Sequence, residues 1–567
     1  MSSRACRVSG GCSRSRQPDP ATPMTVGGLI RRAAATYPDR TFVLFDDERT
    51  SYGDYLARCL RVANLLDERL RTPRHVGVLM ENRPEYLDVL GGAALCGATV
   101  VGINATRRGP ELERDIAHTD CSLVIADGVY GGLLEGLDVP PVLTVGSSYD
   151  DAISSTNATD VGWFVTQDDL YLLIFTSGTT GAPKAVRCSH RRMLGTGTMV
   201  ADLVGLTADD CAYVSLPLFH SNPLMCGYLP TLVRGGRMAL ARRFSVSAFL
   251  PEVRRSGSTY FPYSGKPLSF LVASAEQPDD ADNALRIAYG NEGSFRIVER
   301  FEQRFGCRVI DGFGPSEGAM GFPRRPGDPP GSVGKPPENI KVLDPDGVEC
   351  PRAQFGSDGA LLNPDECVGE IVNVEGVGRF EGYYNNPEAE ALRVRDGKYW
   401  SGDLGYVDSD GFLYFAGRTE DWIRVDAENF PPRPIEELVE RHPDVLACAA
   451  YGVPDEAAGD RVMIAVQPFP GRAIDPNELH AFLTAQPELS PKWLPTYVTI
   501  AADLPRGVTG KVLVRELRRA KFLLDLAPGP VFWRDRGDEG YKPLLPDDEV
   551  ALRKRFADAG RGPLVDL

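Results

Sequence analysis

Short apolar runs alternate with amphipathic stretches along most of the chain. The run Leu170–Phe175 is bounded by turn residues, which predicts a buried strand. The segment Tyr86–Ile103 contains Asp88 and many small residues, so it predicts a buried helix followed by a strand rather than a membrane span. Glu111–His118 predicts an exposed helix, and Cys121–Ala126 predicts the strand after it. This alternation favours an α/β architecture with largely parallel strands.

Segments rich in turn residues interrupt this pattern in the second half of the chain. Pro323–Pro337 is dense in proline and glycine and predicts a loop, whereas Val342–Gly359, with its turn signal Asp346-Gly347, predicts a small β-rich subdomain. The clearest boundary follows Tyr414–Arg418, where a compact unit of about 100 residues begins. Within that unit, Ile435–Arg441 predicts an amphipathic helix.

These boundaries predict four parts. Residues 1–24 form a disordered extension, 25–419 a large N-terminal domain, 420–525 a small C-terminal domain, and 526–567 a tail that packs on the body. We expect Phe532, Trp533 and Tyr541 to anchor the tail. The first residues, Met1–Pro23, lack an apolar core, which argues against a secretory signal, although their arginines leave a transit peptide open.

Composition limits the classes of function. The chain has 567 residues, more than one hydrophobic core usually serves, and a formal net charge of −16, which argues against a nucleic-acid-binding surface. Its 12 cysteines show no C-x-x-C pair, and its six histidines form no metal-binding motif, so we expect reduced thiols and no structural transition metal. No run approaches the roughly 18 apolar residues of a spanning helix. We expect a cytoplasmic protein with at most peripheral membrane contact.

The loop after the apolar run 170–175 has the composition of a phosphate-binding site. It offers three hydroxyls, two glycines and one lysine within Ser177–Lys184, and such groups can surround an anion. A Walker loop is excluded because Ala182 and Pro183 separate the last glycine from the lysine. A flexible surface turn is the alternative. This ordering of residues resembles the phosphate-binding motif of the adenylate-forming superfamily, which includes acyl-CoA synthetases, luciferases and peptide-synthetase adenylation domains.

The resemblance implies roles for the whole loop. The residues expected to hold the nucleotide are Thr176, Ser177, Gly178, Thr179, Thr180, Gly181 and Lys184. Thr180 is also expected at the metal and to take part in catalysis. Tyr289–Gly293 matches the family loop that borders adenine and the acyl pocket, so Asn291, Glu292 and Gly293 join the predicted nucleotide site.

A second motif, Asp311–Glu317, has glycines and a proline that force an irregular loop. Its glutamate is an oxygen ligand suited to a hard cation such as Mg²⁺, although an ordinary turn with an exposed glutamate is the alternative. The motif resembles the family's adenine and magnesium site. That resemblance implies that Phe313 stacks on adenine, Ser316 lies near the α-phosphate and Glu317 binds the metal, with Asp311, Gly312 and Gly314 shaping the loop.

Two further motifs lie around and beyond the predicted boundary. Asp403, in Tyr399–Asp403, could accept both ribose hydroxyls, and Arg418 could pair with phosphate or ribose oxygens. Lys511, in a glycine-rich loop, would ordinarily be a solvated charge. The family resemblance instead implies that Lys511 enters the active site and neutralises charge on the reacting carboxylate and α-phosphate.

The acyl and coenzyme A sites are assigned by the same resemblance. His220, in Leu216–His220, matches a histidine that borders the acyl pocket, with a core histidine as the alternative. Ala427 stands where many members carry glycine, on the loop that lines the pantetheine channel. The segment Thr419–Phe430 and the tail resemble the branch of very-long-chain acyl-CoA synthetases and fatty-acid transport proteins, including actinobacterial fatty-acid ligases.

The sequence therefore predicts an ATP-dependent, AMP-forming acyl-CoA synthetase. Its fold would be a large N-terminal domain of mixed sheets flanked by helices, a β-rich subdomain and a small mobile α+β domain. Its substrates would be ATP, coenzyme A and a hydrophobic carboxylic acid of long-chain, very-long-chain or steroid type. Its cofactor would be Mg²⁺. Two alternative functions are left open: delivery of the acyl group to a carrier protein, and a catalytically weak protein for lipid binding or uptake. A homodimer is also left open.

Overall fold

The computed structural model describes most of the chain, with several gaps. The described residues are 24–176, 184–265, 267–291, 295–325, 327–329, 331–356, 361–418, 421–425, 428–456, 459–486, 489–490, 492–507, 510–535, 538 and 540–565. The predicted extension, residues 1–24, lies outside them except for Met24.

The helices of the described residues are short and mostly amphipathic. In chain order they are α1 Val26–Thr36, α2 Tyr52–Arg69, α3 Pro84–Cys96, α4 Gly109–His118, α5 Ser148–Ser154, α6 His190–Leu203, α7 Leu229–Arg234, α8 Val246–Ser256, α9 Pro267–Ala273, α10 Phe295–Phe305, α11 Pro364–Cys367, α12 Pro387–Arg393, α13 Arg433–Glu440, α14 Pro476–Thr484, α15 Val514–Ala520 and α16 Pro546–Asp558. A π-helical turn, Pro223–Tyr228, precedes α7, and 3₁₀ turns lie at Gly131–Leu134 and Gly562–Leu564.

The strands belong to four large sheets and one hairpin. In chain order they are β1 Thr41–Phe45, β2 Glu48–Ser51, β3 His75–Leu79, β4 Thr99–Gly102, β5 Leu123–Ala126, β6 Val142–Thr144, β7 Leu170–Thr176, β8 Lys184–Ser189, β9 Cys211–Val214, β10 Arg237–Leu240, β11 Tyr260–Pro262, β12 Ile287–Gly290, β13 Arg308–Phe313, β14 Phe322–Pro323, β15 Ser332–Gly334, β16 Ile340–Leu343, β17 Gly369–Asn373, β18 Val394–Arg395, β19 Lys398–Val407, β20 Leu413–Arg418, β21 Ile423–Val425, β22 Glu428–Phe430, β23 Val445–Pro454, β24 Asp460–Pro468, β25 Tyr497–Ile500, β26 Val531–Trp533 and β27 Lys542–Pro543.

Two largely parallel sheets form the main body, as the alternating pattern predicted. One has the order β6-β5-β3-β4-β7-β8, in which β8 is antiparallel to β7. The other has the order β14-β13-β12-β11-β9-β10-β1-β2, with parallel pairing from β13 to β1. The carboxyl ends of β9, β11, β12 and β13 lie at one edge, where open α/β sheets usually bind their ligands.

The predicted buried segment 86–103 forms α3 and β4, and α3 is buried along most of its length. Small residues let α3 approach α2 closely. A Cβ at Gly92 would lie 2.7 Å from the Val62 side chain, so a larger residue would push the two helices apart. The small residues that weaken the apolar signal of this segment are therefore used for close helix packing.

The third sheet is antiparallel and has the order β15-β20-β19-β17-β16, with β18 on β19. A β-rich subdomain is therefore present, as predicted, but most of its strands lie outside the predicted range Val342–Gly359, of which only Val342 and Leu343 belong to one of them. The prediction that Pro323–Pro337 is entirely loop was wrong, because this segment contains the end of β14 and all of β15. Gly334 adopts a φ of 108° beside a register shift, which lets a short edge strand pair with β20 despite its poor strand propensity.

The C-terminal part has its own sheet, β23-β24-β25-β26-β27, with hydrophobic clusters on both faces. The predicted amphipathic helix is α13, which buries Ile435, Leu438 and Val439. The tail contributes β26 and β27 to this sheet, and Trp533 and Tyr541 are buried in it. The tail is thus an integral part of the C-terminal sheet.

Candidate active site

The phosphate-loop motif begins and ends on an antiparallel strand pair. Thr176, the last residue of β7, lies opposite Lys184, the first residue of β8. Ser177, Gly178, Thr179, Thr180 and Gly181 lie outside the described residues. Lys184 is 5% exposed, and its ammonium lies 5.8 Å from the centre of the Tyr383 ring. Tyr383 reaches this place because its segment runs along β8, where the Tyr384 N–H donates to the Ala185 carbonyl.

The predicted adenine loop starts at the carboxyl end of β13. The Tyr263 hydroxyl donates to Asp311 Oδ2 at 2.5 Å, and Tyr263 follows β11, which is separated from β13 by β12. Gly312 and Phe313 pair with Pro323 and Phe322 of β14. The Phe313 ring lies 5.7 Å from the Phe322 ring and is only partly buried, so part of its flat face remains accessible. Gly314, just past β13, is exposed.

Asn291, at the end of β12, joins the same edge. The Ser264 hydroxyl donates to Asn291 Oδ1 at 2.8 Å, and the Gly265 N–H donates to the Asn291 carbonyl. Glu292 and Gly293 lie outside the described residues. Three consecutive parallel strands, β11, β12 and β13, therefore bring Tyr263, Asn291 and Asp311 together at one edge.

A buried cation fixes the end of the second motif. Arg192, on α6, is 3% exposed and donates through Nη2 to the Ser316 carbonyl. The hydroxyl oxygens of Ser316 and Ser221 lie 2.9 Å apart and share a hydrogen bond. The Tyr383 hydroxyl donates to Glu317 Oε1 at 2.9 Å. Ser316 and Glu317 are thus held from elements distant in sequence.

His220 is a neutral residue at the edge of this site. Burial, followed by the charge of Lys511, lowers the pKa of His220 to about 4. Its Nε2 is buried and has no hydrogen-bond partner among the described residues. Beyond His220, the π-helical turn contributes the buried side chains of Leu224, Met225 and Tyr228. π-Helical turns of this kind are frequent at functional sites.

Asp403 and Arg418 face each other on β19 and β20, and Arg418 Nε lies 3.4 Å from Asp403 Oδ1. The pKa of Asp403 is raised to about 6, chiefly by burial. The positive charge of Arg418 is the next largest effect and lowers this pKa. Glu317 raises it further, and the charges of Arg393 and Lys511 lower it. Lys511 therefore acts electrostatically on both Asp403 and His220, although it belongs to the C-terminal part. The predicted site residues from the two parts of the chain converge on one region.

The Lys511 loop closes on itself. The Gly507 N–H donates to the Lys511 carbonyl at 2.8 Å, and Arg506 pairs with Val512 in an antiparallel bridge. Ala427 and the predicted hinge near Glu420 lie outside the described residues. Their roles stay predictions.

Four residues of this site were not predicted: Arg192, Tyr263, Tyr383 and Arg393. Arg192 and Tyr263 act across long sequence separations, so no local pattern marks them. Tyr383 stands in a turn-like run, Gly382–Asn386, that gives no functional signal. Arg393 is the last residue of α12 and lies shortly before Asp403 in the chain. Its closeness in sequence to the Asp403 motif is the one weak signal that could have pointed to a role in the site.

The candidate metal ligand, Glu317, suits a Mg²⁺ ion that is bound partly by the phosphates of the nucleotide. Within the described ranges, no group of three or more His, Cys, Asp or Glu residues could hold a metal by itself. Glu317 offers one partly buried carboxylate, and proteins commonly hold Mg²⁺ with one or two carboxylates together with substrate phosphates. Glu317 therefore fits the predicted metal site.

Sequence profiles and relatives agree with this geometry. The profile described as AMP-binding enzyme matches residues 30–384, and that of the AMP-binding enzyme C-terminal domain matches residues 434–511. A medium/long-chain-fatty-acid–CoA ligase, FadD17, of Mycobacterium marinum is 45% identical over 84% of this chain and 92% of its own. A steroid-22-oyl-CoA synthetase of Rhodococcus jostii is 44% identical over 86% of this chain and 89% of its own.

Solved structures share the fold at lower identity. The crystal structure of the anthranilate CoA ligase AuaEII in complex with anthranoyl-AMP superposes with a TM-score of 0.76 at 22% identity, over 88% of this chain and 97% of that one. This likeness supports the arrangement of sheets and the presence of a C-terminal domain.

Proposed function

The chain belongs to the family of AMP-binding enzymes and is an ATP-dependent acyl-CoA synthetase, and from this premise we propose that its acid is a bulky hydrophobic carboxylic acid. Medium- and long-chain fatty acids and the carboxylated side chains of steroids are the two classes that the names of its relatives suggest. The buried apolar side chains that follow His220 on the π-helical turn support an apolar acid.

The first half-reaction activates the acid. A carboxylate oxygen attacks the α-phosphorus of ATP, the bond from that phosphorus to the bridging oxygen breaks, and pyrophosphate leaves with the bond electrons. Lys184 and Lys511 neutralise negative charge at the phosphates, where electrostatic stabilisation contributes most. Asp403 holds the ribose, Phe313 the adenine, and Glu317, with Thr180, would hold the Mg²⁺ that neutralises phosphate charge.

The second half-reaction transfers the acyl group. The sulfur of coenzyme A attacks the acyl carbon, the bond to the AMP oxygen breaks, and the thiol proton is released to solvent. The C-terminal domain, residues 420–525, rotates about a hinge near Glu420, so that Lys511 leaves and the loop of Ala427 faces the pantetheine channel. Motions of this kind often gate turnover.

One observation carries this assignment. Lys511 comes from the C-terminal part of the chain, yet its charge acts on both His220 and Asp403. The three residues serve the carboxylate, the acyl pocket and the ribose in the proposed mechanism. Their convergence is what adenylation requires, because the acid and the nucleotide must meet before any reaction.

A substrate panel tests the proposal. Pyrophosphate release is measured with ATP, Mg²⁺ and acids of short, medium, long and steroid type, and thioester formation is measured with coenzyme A or a carrier protein. We expect long-chain or steroid acids to exceed acetate by at least about a hundredfold in kcat/KM, because each buried CH₂ contributes about 0.8 kcal/mol. Higher activity with acetate would overturn the acid class, and transfer to the carrier alone would favour an acyl-AMP ligase.

We extend this proposal to the location and assembly of the protein. It would be cytoplasmic, would bind membrane surfaces peripherally and would form a homodimer. None of the described helices has the length and apolarity needed to cross a bilayer. A hydrophobic acid could then be taken up from a membrane surface by a protein that binds there reversibly. Co-flotation with lipid vesicles and light scattering of the purified protein test the membrane contact and the dimer separately.

A further inference from the structure

Arg393 lies at the end of α12, next to the strand that carries Asp403. Asn386 caps α12 by accepting a hydrogen bond from the Ala389 N–H at 3.0 Å, and Pro387 occupies its first turn. The helix is therefore fixed at its start, which determines where Arg393 leaves it. α12 packs against β19.

A glycine makes room for the Arg393 side chain. Gly402 has a φ of 73°, and a Cβ at this position would overlap the Arg393 guanidinium. The Gly402 N–H donates to Glu370 Oε1 at 2.7 Å, which holds the backbone in this conformation. Gly402 thus has two reasons to be glycine: its left-handed backbone and the cation lying against it.

The guanidinium of Arg393 lies among acidic and phenolic groups. Its charge acts on the Tyr383 hydroxyl group, and that hydroxyl donates to Glu317 Oε1 at 2.9 Å. Its charge also acts on Asp403 and on Tyr399, which is fully buried. The pKa of Arg393 is raised above its usual value. Burial alone would lower this pKa, but the nearby groups raise it, namely Tyr383, Tyr399, Glu317 and Asp403.

This position is important because Glu317 and Asp403 repel each other in a partly buried site. When two carboxylates share such a site, keeping both ionised costs free energy unless a cation lies nearby. Arg418 and Lys511 also act on Asp403, but Lys511 belongs to the part of the chain that the proposed rotation removes. Arg393 lies on the N-terminal part, together with Glu317, Tyr383 and Asp403.

We propose that Arg393 is a positioning residue of the adenylation site: through Tyr383 it orients Glu317, and its charge stays beside Glu317 and Asp403 in both half-reactions. The inference rests on the proposed function for the roles of Glu317 and Asp403. It differs from the role of Lys511, which serves the first half-reaction. Arg393 should therefore influence both halves, and nucleotide binding in particular.

The test compares Arg393→Gln with Arg393→Lys in the full-length protein. Dissociation constants for Mg·ATP come from calorimetry, and pyrophosphate release and thioester formation from supplied acyl-adenylate are measured separately. We expect Arg393→Gln to weaken Mg·ATP binding about tenfold and to slow both half-reactions by about tenfold or more, since misplaced groups cost such factors. Arg393→Lys should restore each value to within about threefold, because it retains the charge.

A matched pair of glycine variants tests the same point without changing any charge. Gly402→Ala displaces the Arg393 guanidinium, whereas Gly397→Ala introduces a methyl group at the same φ of 73° with no atom within 4 Å. Both changes impose similar backbone strain, which thermal unfolding will report. We expect Gly402→Ala to reproduce the binding and rate losses of Arg393→Gln, and Gly397→Ala to leave Mg·ATP binding unchanged.

The outcomes separate this inference from the proposed function. Unchanged Mg·ATP binding in Arg393→Gln, equal behaviour of the two glycine variants, or losses that Arg393→Lys does not restore would each overturn it. If the wild-type protein binds Mg·ATP but activates no acid of the panel, the proposed function fails while the binding measurements still decide the role of Arg393.

Discussion

Asp403 and Arg418 form a cross-strand pair in which a partly buried carboxylate meets a half-exposed guanidinium, with 3.4 Å between Oδ1 and Nε. The pair is not an ordinary ion pair, because burial raises the pKa of Asp403 to about 6 in spite of the cation. The carboxylate is charged at neutral pH by a small margin. Its hydrogen-bonding capacity toward a ribose is therefore sensitive to pH.

We expect nucleotide binding to weaken as the pH falls through about 6. The ionised form of Asp403 exists above its pKa and, in its proposed role, accepts hydrogen bonds from both ribose hydroxyls; protonation below about 6 removes that capacity. The dissociation constant for ATP should then rise by up to about tenfold per pH unit. Calorimetry between pH 5 and 8 measures it.

Asp403→Asn is the control for this pH dependence. The amide cannot titrate, so the variant should bind weakly at every pH and retain only the slope that comes from the phosphates of the nucleotide. A wild-type curve parallel to that of Asp403→Asn would contradict the assignment of Asp403 to the ribose.

Sequence motifs predicted those parts of the site whose residues lie close together in the chain. Asp403 and Arg418 belong to adjacent strands joined by a short turn, so their motif and their contact come from the same segment. Strand β7 likewise follows from the apolar run before the loop, whereas its antiparallel partner β8 was not predicted. The overall α/β class also follows, because helix and strand periodicities are local signals.

Contacts between distant segments could not be predicted in this way. Arg192 donates to the Ser316 carbonyl across 124 residues, and Tyr383 reaches Glu317 across 66. Only the folded arrangement of α6, β8 and the antiparallel sheet brings them together. The short strand β15 was missed for a related reason, since its pairing depends on the edge of β20 and not on its own residues.

Replacing Lys511 should separate the two half-reactions. Lys511→Ala removes the charge that we propose acts at the α-phosphate, where charge concentrates in the first step only, so adenylation should fall by about 10²- to 10³-fold. Thioester formation from supplied acyl-adenylate should persist. The control is Lys554→Ala, which removes an exposed lysine of α16 in the same part of the chain. Equal losses in both half-reactions would contradict this division.

Replacing Glu317 should change the magnesium requirement. A neutral amide is a poorer ligand for a hard cation, so Glu317→Gln should raise the Mg²⁺ concentration for half-maximal pyrophosphate release by about tenfold. Tyr383→Phe removes one hydrogen bond to Glu317 and should have a smaller effect, about two- to fivefold. Titration of Mg²⁺ at fixed ATP measures both. An unchanged requirement in Glu317→Gln would exclude it as the metal ligand.

Arg296 connects the N-terminal helix α10 with the C-terminal part of the chain. Its guanidinium donates to the carbonyls of Glu440, His442 and Pro443 at 3.3, 3.0 and 3.2 Å. These carbonyls lie at and just beyond the end of α13, where the helix dipole favours a cation. The same helix places the Arg300 guanidinium 5.2 Å from the centre of the Phe469 ring. The contacts hold α13 and its sheet in the orientation that brings Lys511 to His220 and Asp403.

We expect Arg296→Ala to weaken this orientation and to slow adenylation by about ten- to a hundredfold, because each lost hydrogen bond to a charged group costs about 1.5–3 kcal/mol. In the proposed mechanism the thioester step uses the rotated orientation, so it should be unchanged or faster. Arg308→Ala, which removes an exposed arginine of the neighbouring strand β13, is the control. Pyrophosphate release and thioester formation from supplied acyl-adenylate are measured for both variants. If Arg296→Ala slows the two half-reactions equally, its contacts serve folding in general, and the balance between orientations is set elsewhere in the chain.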